Sequence, residues 1–442
     1  MRKRASRRTV PDSDSRLLFG WEMPVEEKTV GFTARVAAPG PASPTLISDR
    51  SESHVLVIAP TGAGKGRNWI IPNLLTCEAP AIVLDIKGEA ARITARRRRE
   101  MGHEVVILDP FRIATDKPAS FNPLERLAAN AETVADEAFA LAALMSEGHR
   151  FEREAFWDDL AEGLLSGLFV HVATSRGLKS RALGDVWNLL ASSDFVYSAA
   201  VLLDSVKGLH PFAYQQLATF LQHEGDKVRT SVRSVAQQHM RIFASAAVQK
   251  SVATTSFDIE AVRSGAPMTI YIVIPPTKIG SHGPLLRLWL ATLLGVITER
   301  VSAPERPTVF MVDELSQLGG LRVFKEAVTL LRGYGLRCCL FLQSHAQLRS
   351  LYPFDHETIT ENCGAFVTFG HTSMSMSKPI ADLLGDVSPE ALFGMTAQQI
   401  AVRFAGRSTV IARRVDYLTD EMFAGKFDLN PRYLQQSSRA IG

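Results

Sequence analysis

The residues best suited to bind a phosphate follow a run of β-forming residues at 55–58, in the segment Ala59-Pro60-Thr61-Gly62-Ala63-Gly64-Lys65-Gly66. In a glycine-rich turn between a strand and a helix, backbone N–H groups can point at an anion, and the lysine can reach the outer phosphates of a nucleotide. The usual pattern has glycine where Ala59 stands and a metal-binding hydroxyl where Gly66 stands, so a purely structural turn is the alternative. The predicted nucleotide contacts are Thr61, Gly62, Ala63, Gly64, Lys65 and Gly66.

A second candidate group is the carboxylate pair Asp313-Glu314, which directly follows the apolar run at 309–312. Carboxylates at the end of a buried strand are costly without a cation. In nucleotide hydrolases the first acid of such a pair holds Mg²⁺ and the second polarises the attacking water. We therefore predict Asp313 as the metal ligand and Glu314 as the catalytic residue that polarises the attacking water, with simple helix capping as the alternative.

Three further residues stand at positions from which they could reach the same ligand. Asp85 opens the charged turn Asp85-Ile86-Lys87-Gly88-Glu89 and either contacts the nucleotide or caps the next helix. Gln343 leaves the apolar run at 339–342 and either senses the γ-phosphate or orients water, with a surface loop amide as the alternative. Arg332 and Arg337 flank a Gly-Tyr-Gly turn, and either could serve a neighbouring subunit as an arginine finger or be an exposed helix-end residue.

The elements that must position these residues alternate in type along the chain. Apolar runs at 54–59, 81–85 and 104–108 alternate with helical stretches at about 66–76 and 88–101, which is typical of β-α-β units with a parallel sheet. A long helical stretch follows, and strand patterns return at 268–274, 308–312, 338–342 and 363–369, more faintly at 400–405 and 408–412. In an open parallel sheet, ligands bind at the carboxyl ends of the strands, where Lys65, Asp85, Asp313 and Gln343 would then meet.

The predicted fold is therefore α/β, with a mostly parallel sheet interrupted by an inserted all-α domain. We expect an N-terminal extension, extended or partly disordered with a short hairpin, over 1–50. The first part of the nucleotide-binding domain would span 51–122, the all-α domain 123–256, and the second part with a C-terminal tail 257–442. Within the all-α domain, Phe156, Leu160, Leu164, Leu168 and Val172 recur every fourth residue and predict a core-facing helix.

The composition is that of an ordinary folded protein and shows neither a cysteine pair with metal-binding spacing nor an apolar run of membrane-spanning length. The 442 residues are 46% hydrophobic and 21% charged with a net charge of +3, as in an ordinary folded protein. The four cysteines show no C-x-x-C spacing, and no apolar run approaches the length of a membrane span. Basic residues cluster at Arg96–Arg99 and again at Lys227, Arg229, Arg233 and Arg241. A solvated surface is the default interpretation of both clusters, and contact with a DNA backbone is the alternative.

Several of these segments together resemble one family, the type IV coupling proteins of conjugation and type IV secretion, or TraG/TraD-like ATPases. The resemblance covers about residues 54–420, and glycine after the loop lysine is usual in that family. Its most specific pieces are the loop at 59–66, Asp85-Ile86-Lys87-Gly88-Glu89, Asp109-Pro110, Phe121-Asn122-Pro123-Leu124, Val312-Asp313-Glu314-Leu315, and Gln343-Ser344 followed by Gln347-Leu348 and Tyr352.

The resemblance implies a RecA-like P-loop NTPase domain with an inserted all-α domain, ATP and Mg²⁺ as cofactors, and homo-hexamers with ATP at the subunit interfaces. It also implies that Thr61, Gly64 and Lys65 meet the phosphates, Asp313 the Mg²⁺, Glu314 the water and Gln343 the γ-phosphate. Members of the family typically begin with transmembrane helices, which this sequence lacks. The expectation is therefore a soluble, cytoplasmic form that a partner recruits to the inner membrane.

The leading functional hypothesis is a DNA-translocating ATPase that passes a relaxase-bound DNA strand, preferably single-stranded, or an effector protein to a type IV secretion channel. A second hypothesis is a nucleotide-dependent cargo adaptor that binds its cargo through the all-α domain and hydrolyses little ATP. A third is an FtsK-like pump on duplex DNA, which would share the hydrolytic core.

Overall fold

The structure is a computed structural model that describes residues 15–23, 45–127, 132–147, 155–175, 177–178, 180–205, 208–315 and 322–430. Its strands are β1 (Leu17–Glu22), β2 (Leu46–Asp49), β3 (His54–Ile58), β4 (Ala81–Leu84), β5 (Glu104–Leu108), β6 (Met268–Ile272), β7 (Thr308–Val312), β8 (Leu336–Leu342), β9 (Cys363–Thr368), β10 (Gln399–Phe404) and β11 (Val410–Arg413).

The helices that precede β6 are α1 (Ile71–Thr76), α2 (Glu89–Glu100), α3 (Leu124–Leu127), α4 (Val134–Ser146), α5 (Ala155–Thr174), α6 (Leu183–Ala191), α7 (Phe195–Ser205), α8 (Pro211–Gln222), α9 (Asp226–Met240), α10 (Ala246–Ser251) and α11 (Ile259–Ser264). The later helices are α12 (Pro276–Thr298), α13 (Arg322–Leu330), α14 (His345–Leu351), α15 (His356–Glu361), α16 (Met374–Leu384) and α17 (Pro389–Phe393). A π-helical turn, Gly66–Ile70, leads directly into α1, and short 3₁₀ turns lie at Arg241–Ala244, Leu331–Tyr334 and Glu421–Phe423.

Within the described residues these strands form one 11-stranded sheet in the order β2-β1-β11-β10-β9-β3-β8-β7-β4-β6-β5. The strands from β9 to β5 are parallel, whereas β10, β11, β1 and β2 extend the sheet as antiparallel neighbours. The predicted α/β class with a mostly parallel sheet is confirmed. Its predicted strands all form, the faint ones as β10 and β11.

The sheet is buried on both faces, so it forms the middle layer of three. Because successive strand residues point to opposite faces, Leu56 and Ile58 join one apolar core and Val55 and Val57 join the other. The helices α1 and α2 cover the second core. The first core runs without a break from the sheet into the helices between α3 and α12. The domain boundaries proposed from the sequence remain a prediction, since the helical segment and the sheet share this core.

The helix α5 matches the predicted core-facing stripe except at its start. From Leu164 onward the residues of this stripe are buried, whereas Phe156 is 62% exposed and its ring packs edge-on against Trp157, at 5.2 Å between centroids. Asp158, in the first turn of α5, is buried and accepts a hydrogen bond from His239 Nε2 at 3.1 Å.

The N-terminal extension contributes to the sheet. β1 and β2 pair as the expected hairpin, and β1 also pairs with β11. Between Leu18 and Gly20 the pairing of β1 shifts register, and there the buried side chain of Asn73 in α1 supplies hydrogen bonds. The Leu18 N–H donates to Asn73 Oδ1 at 2.6 Å, and Asn73 Nδ2 donates to the Leu18 carbonyl at 3.1 Å. The first strand is thereby tied to the helix that follows the phosphate loop.

A buried arginine joins three elements at the amino edge of the sheet. Arg300 is 7% exposed, and burial lowers its pKa to about 10. Its guanidinium donates to the carbonyls of Val262, Arg263, Tyr334 and Gly335 and to the hydroxyl of Thr308, at 2.7–3.2 Å. We infer that this side chain fixes the turn that leads into β8.

In the Arg300→Met protein, the free energy of unfolding falls by about 3 kcal/mol, because several buried acceptors lose their donor together. Chemical denaturation measures the loss. The matched control is Arg263→Met, because the side chain of Arg263 is 46% exposed and pairs with Glu260 at the surface, where an ion pair contributes less than about 1 kcal/mol. Equal losses in the two variants would contradict a structural role for Arg300.

Candidate functional site

The predicted phosphate loop leaves the sheet from the central strand β3. The Ala59 N–H still bonds to the Leu342 carbonyl of β8 at 3.0 Å, and the chain then turns through two glycines in left-handed conformation, Gly62 (φ +79°) and Gly64 (φ +98°). A Cβ at Gly64 would lie 2.4 Å from Asn68 Oδ1, so the turn requires glycine there. The loop leads into a helical stretch whose amino end adjoins it, which gives a backbone cradle for an anion.

Lys65 lies at the end of this cradle and interacts electrostatically with Asp313 and Glu314, which are far from it in the sequence. Its Nζ donates to the Ala59 carbonyl at 2.7 Å. Burial lowers the pKa of Lys65, while the carboxylates of Glu314 and Asp313 act in the opposite direction. The strands β3 and β7 are separated only by β8, a distance of about 10 Å between strand axes. The structure thus brings together the lysine and the acidic pair that the sequence analysis placed at one site.

Asp313 directly follows β7 at the carboxyl edge. Burial raises its pKa to about 6, the cations Lys65 and Lys87 oppose this shift, and the carboxylates of Glu314 and Glu89 add to it. A half-buried carboxylate in this position has the hard oxygen donors that Mg²⁺ prefers. Among the residues described, no group of three or more His, Cys, Asp or Glu could hold a metal ion by itself. A Mg²⁺ ion here would therefore share Asp313 with phosphate oxygens, as is usual for this ion.

Gln343 contacts the second acid of the pair directly. Gln343 Nε2 donates to Glu314 Oε2 at 2.8 Å, and the Gln343 N–H donates to Gln347 Oε1 at 2.7 Å. The amide at the end of β8 therefore orients the carboxylate at the end of β7. Such a pair can hold a water molecule in line with a phosphate that sits over the loop.

Asp85 lies at the same edge, and both of its carboxylate oxygens accept hydrogen bonds from the first turn of α2. It is 3% exposed, and its two carboxylate oxygens accept from the N–H groups of Glu89, at 3.1 Å, and Ala91, at 2.8 Å. Burial raises the pKa of Asp85 to about 7, and the nearby Asp313 contributes to the shift. The capping interpretation thus describes its contacts within the chain, while a contact with nucleotide stays a prediction.

Arg332 is not brought to this edge. It lies in the 3₁₀ turn before β8 and is exposed near His54, which opens β3 at the opposite edge of the sheet. Its partner in the sequence prediction, Arg337, is completely buried and donates to the Ser53 carbonyl at 3.0 Å and to the Asp49 carboxylate at 2.7 Å. Of the two, Arg332 alone has an exposed side chain that could face another subunit, and its role as an arginine finger stays a prediction.

Most of the basic clusters serve the fold. Arg96 pairs with Asp428 at 2.7 Å, and Arg98 is buried, with its guanidinium bound to backbone carbonyls and to Thr269. In the second cluster Arg229 and Arg233 donate to backbone carbonyls of neighbouring turns. The interpretation of a solvated surface is therefore wrong for Arg98, which is buried. Contact with a DNA backbone stays a prediction for the exposed members Arg99, Lys227 and Arg241.

Sequence reasoning missed two residues near the loop. Lys87 was given no role of its own, although its exposed ammonium lowers the pKa of both Lys65 and Asp313. Its position in the turn after β4 could have indicated this. Arg414 donates from Nη1 to the Ala63 carbonyl of the loop at 2.6 Å. No local pattern could have found it, because it follows β11 in the antiparallel part of the sheet.

The sheet order and the glycine-rich loop after its central strand define an α/β fold of the RecA-like P-loop type. The chain belongs to the family "Type IV secretory system Conjugative DNA transfer", whose model matches residues 36–392. It is 25% identical to a conjugal transfer protein TraG of Escherichia coli over 352 residues, 75% of this chain and 55% of the relative. It is also 25% identical to the protein VirD4 of Agrobacterium fabrum over 356 residues, 78% of this chain and 52% of the relative. The chain thus spans about half the length of these relatives. The predicted membership of the coupling protein family is confirmed.

The fold is similar to that of a solved structure, the plasmid coupling protein TrwB in complex with ADP and Mg²⁺. The TM-score is 0.62 at 18% sequence identity, and the match covers 82% of this chain and 84% of TrwB. Within the described part of the chain, no single helix meets the length and hydropathy needed to cross a membrane. One bent pair, α6 with α7 at 117°, meets them jointly by length and composition only.

Proposed function

We propose that this protein is an ATP-driven coupling protein, which binds ATP with Mg²⁺ and uses its hydrolysis to move DNA toward a type IV secretion channel. The observation that supports this most directly is the convergence of Lys65, the Asp313-Glu314 pair and Gln343 at one edge of the sheet. Membership of a family described by conjugative DNA transfer supports the DNA substrate. The ligands of the TrwB structure, ADP and Mg²⁺, support the choice of cofactors.

In the proposed mechanism the backbone of Thr61–Gly66 and the Lys65 ammonium bind the phosphates. Asp313 would hold Mg²⁺, which supplies charge neutralisation on the phosphate oxygens when bound. Gln343 holds Glu314 so that its carboxylate can orient water and accept a proton. Asp85 supports the site from its helix cap. We further propose a homo-hexamer in which Arg332 completes the site of a neighbouring subunit.

The proposed partners are single-stranded DNA bound to a relaxase, or an effector protein, together with components of the secretion channel. Recruitment to the inner membrane from the cytoplasmic side would come from such a partner. The test of the motor is ATP turnover of the purified protein with and without single-stranded DNA. We expect single strands to stimulate turnover more than a duplex of equal length does. A preference for the duplex would favour the FtsK-like pump.

A nucleotide-dependent cargo adaptor is the second candidate, and exposed aromatic side chains on the helical segment favour it. Phe156, Tyr197 and Tyr214 are 62%, 72% and 50% exposed. Aromatic residues are enriched at protein interfaces. The adaptor predicts binding of cargo without stimulated hydrolysis, so turnover that stays undetectable with and without DNA, in a protein that still binds ATP, would favour it over the motor.

Acidification weakens the binding of Mg²⁺ and nucleotide together. Mg²⁺ binds the deprotonated carboxylate, and burial raises the pKa of Asp313 to about 6. The apparent affinity of the protein for Mg²⁺ should therefore fall by up to about tenfold per pH unit below about pH 6 and level off above it. Titration of Mg²⁺ into the protein with nucleotide, between about pH 5 and 8, measures this slope. The Asp313→Asn protein should bind Mg²⁺ weakly at every pH. A flat profile in the parent protein would contradict the role of Asp313.

A further inference from the structure

Residues 414–416, which follow β11, contact the phosphate loop and the helical turn after it. Arg414 is 6% exposed, and its guanidinium connects two parts of the chain. Nη1 donates to the Ala63 carbonyl of the loop at 2.6 Å, and Nε donates to the Gln399 carbonyl of β10 at 2.8 Å. The loop is therefore attached to the antiparallel part of the sheet as well as to its own strand.

The neighbouring contacts hold this arrangement in place. The guanidinium carbon of Arg414 lies 4.3 Å from the ring centroid of Phe369, the first residue after β9. The next two residues continue the attachment, since Asn68 Nδ2 donates to the Val415 carbonyl at 2.9 Å and Arg67 Nε donates to Asp416 at 2.8 Å. Three consecutive residues, 414–416, thus contact the loop and the helix that it begins.

The charge of Arg414 has no acidic partner in the described part of the chain. Its contacts are carbonyl oxygens and an aromatic ring, and burial lowers its pKa only to about 10, so that it stays cationic at neutral pH. A Cβ built at Gly64 would lie 3.9 Å from Arg414 Nη1, which places the cation directly behind the cradle. A buried cation without a counter-charge is unfavourable, and an anion bound in the cradle would relieve this cost.

We propose that Arg414 is a positioning residue of the nucleotide site, which fixes the Ala63 carbonyl behind the loop and favours ligands with more phosphate charge. The inference rests on the proposed binding of nucleotide at this loop. Because Arg414 holds the Ala63 carbonyl and the Ala63 N–H donates to the Pro60 carbonyl at 3.2 Å, the loop keeps one backbone conformation in which its remaining N–H groups can face the phosphates. Its positive charge attracts the polyphosphate across a short, partly desolvated distance, over which electrostatic interactions are stronger than in water.

The test compares the affinities for ATP, ADP and AMP in the variants Arg414→Met and Arg414→Lys, by competition against a fluorescent ATP analogue. We expect Arg414→Met to weaken ATP binding about tenfold or more, ADP binding less, and AMP binding about twofold or less. Arg414→Lys keeps the charge and should recover part of the ATP affinity. In turnover assays the KM for ATP should rise more than kcat falls, since the chemistry is left to Glu314.

The matched control is Arg403→Met. Arg403 also stacks on a phenylalanine of β9, Phe366, at 6.0 Å and donates to a backbone carbonyl, that of Leu384, but it has no contact with the loop. Its loss should leave all three affinities unchanged. If Arg414→Met does not fold, the graded loss in Arg414→Lys decides, and equal affinities of that variant and the parent overturn the inference. Equal weakening for the three nucleotides in Arg414→Met overturns it as well.

The Lys65→Ala protein separates this inference from the function on which it rests. Parental ATP affinity in Lys65→Ala would mean that nucleotide does not bind at the loop, and both would fail. Lost affinity in Lys65→Ala with parental affinity in Arg414→Met would overturn the role of Arg414 alone.

Discussion

In the Glu314→Gln protein, ATP hydrolysis falls at least about 100-fold, whereas ATP affinity stays within about threefold of the parent value. The amide has the shape of the carboxylate and can still accept the hydrogen bond from Gln343 Nε2, which spans 2.8 Å in the parent. It cannot accept the proton of the attacking water. Steady-state turnover and equilibrium ATP binding on the same preparation measure the two effects.

The control for this substitution is Glu357→Gln. The side chain of Glu357 is 85% exposed on α15, so its neutralisation should change neither quantity. Hydrolysis at the parental rate in Glu314→Gln would remove Glu314 from the reaction. A parallel loss of ATP binding would instead assign it to the ligand site.

The second large effect is expected for Lys65→Ala, which should weaken ATP binding at least about 100-fold. Lys65 is the cation placed to reach the phosphates from the end of the loop, and alanine retains neither its charge nor its donors. Because burial lowers the pKa of Lys65, its ammonium is partly desolvated, and its removal should not lower the melting temperature of the nucleotide-free protein. Loss of binding with an unchanged melting temperature distinguishes a ligand contact from damage to the fold.

Lys325→Ala is the matched control. Lys325 lies on α13, where its ammonium pairs with Asp355 at 2.6 Å with both side chains partly exposed. This change should leave ATP binding as it was. If Lys65→Ala binds ATP as the parent does, the loop is not a phosphate cradle.

The parallel part of the fold was predictable because its strands are buried on both faces. The apolar run at 55–58 places alternate residues in two cores, and such a run between turn residues indicates a parallel strand without knowledge of its neighbours. The direction of β10 and β11 was not predictable, since a strand's own sequence does not specify the direction of its partner. Phe156 shows another limit of prediction from the sequence. Helical spacing identifies the apolar face of a helix, but not the point along the helix at which other elements stop packing against that face.

For the site, topology explains both what was predictable and what was not. Carboxyl ends of parallel strands share one edge, so Lys65, Asp313 and Gln343 could be placed together from the sequence. Arg332 precedes β8 and so lies at the other edge, which makes any action on ATP an intersubunit matter. The contact of Arg414 with the loop depends on the register of β11 against β10, which no local pattern encodes.

The hydrogen bonds between Leu18 and Asn73 make the first strand part of the support of both α1 and the sheet edge. A truncation that begins after β2 would remove two of the three backbone hydrogen bonds of the buried Asn73 amide and leave β11 as an unpaired edge strand, open to pairing with other chains.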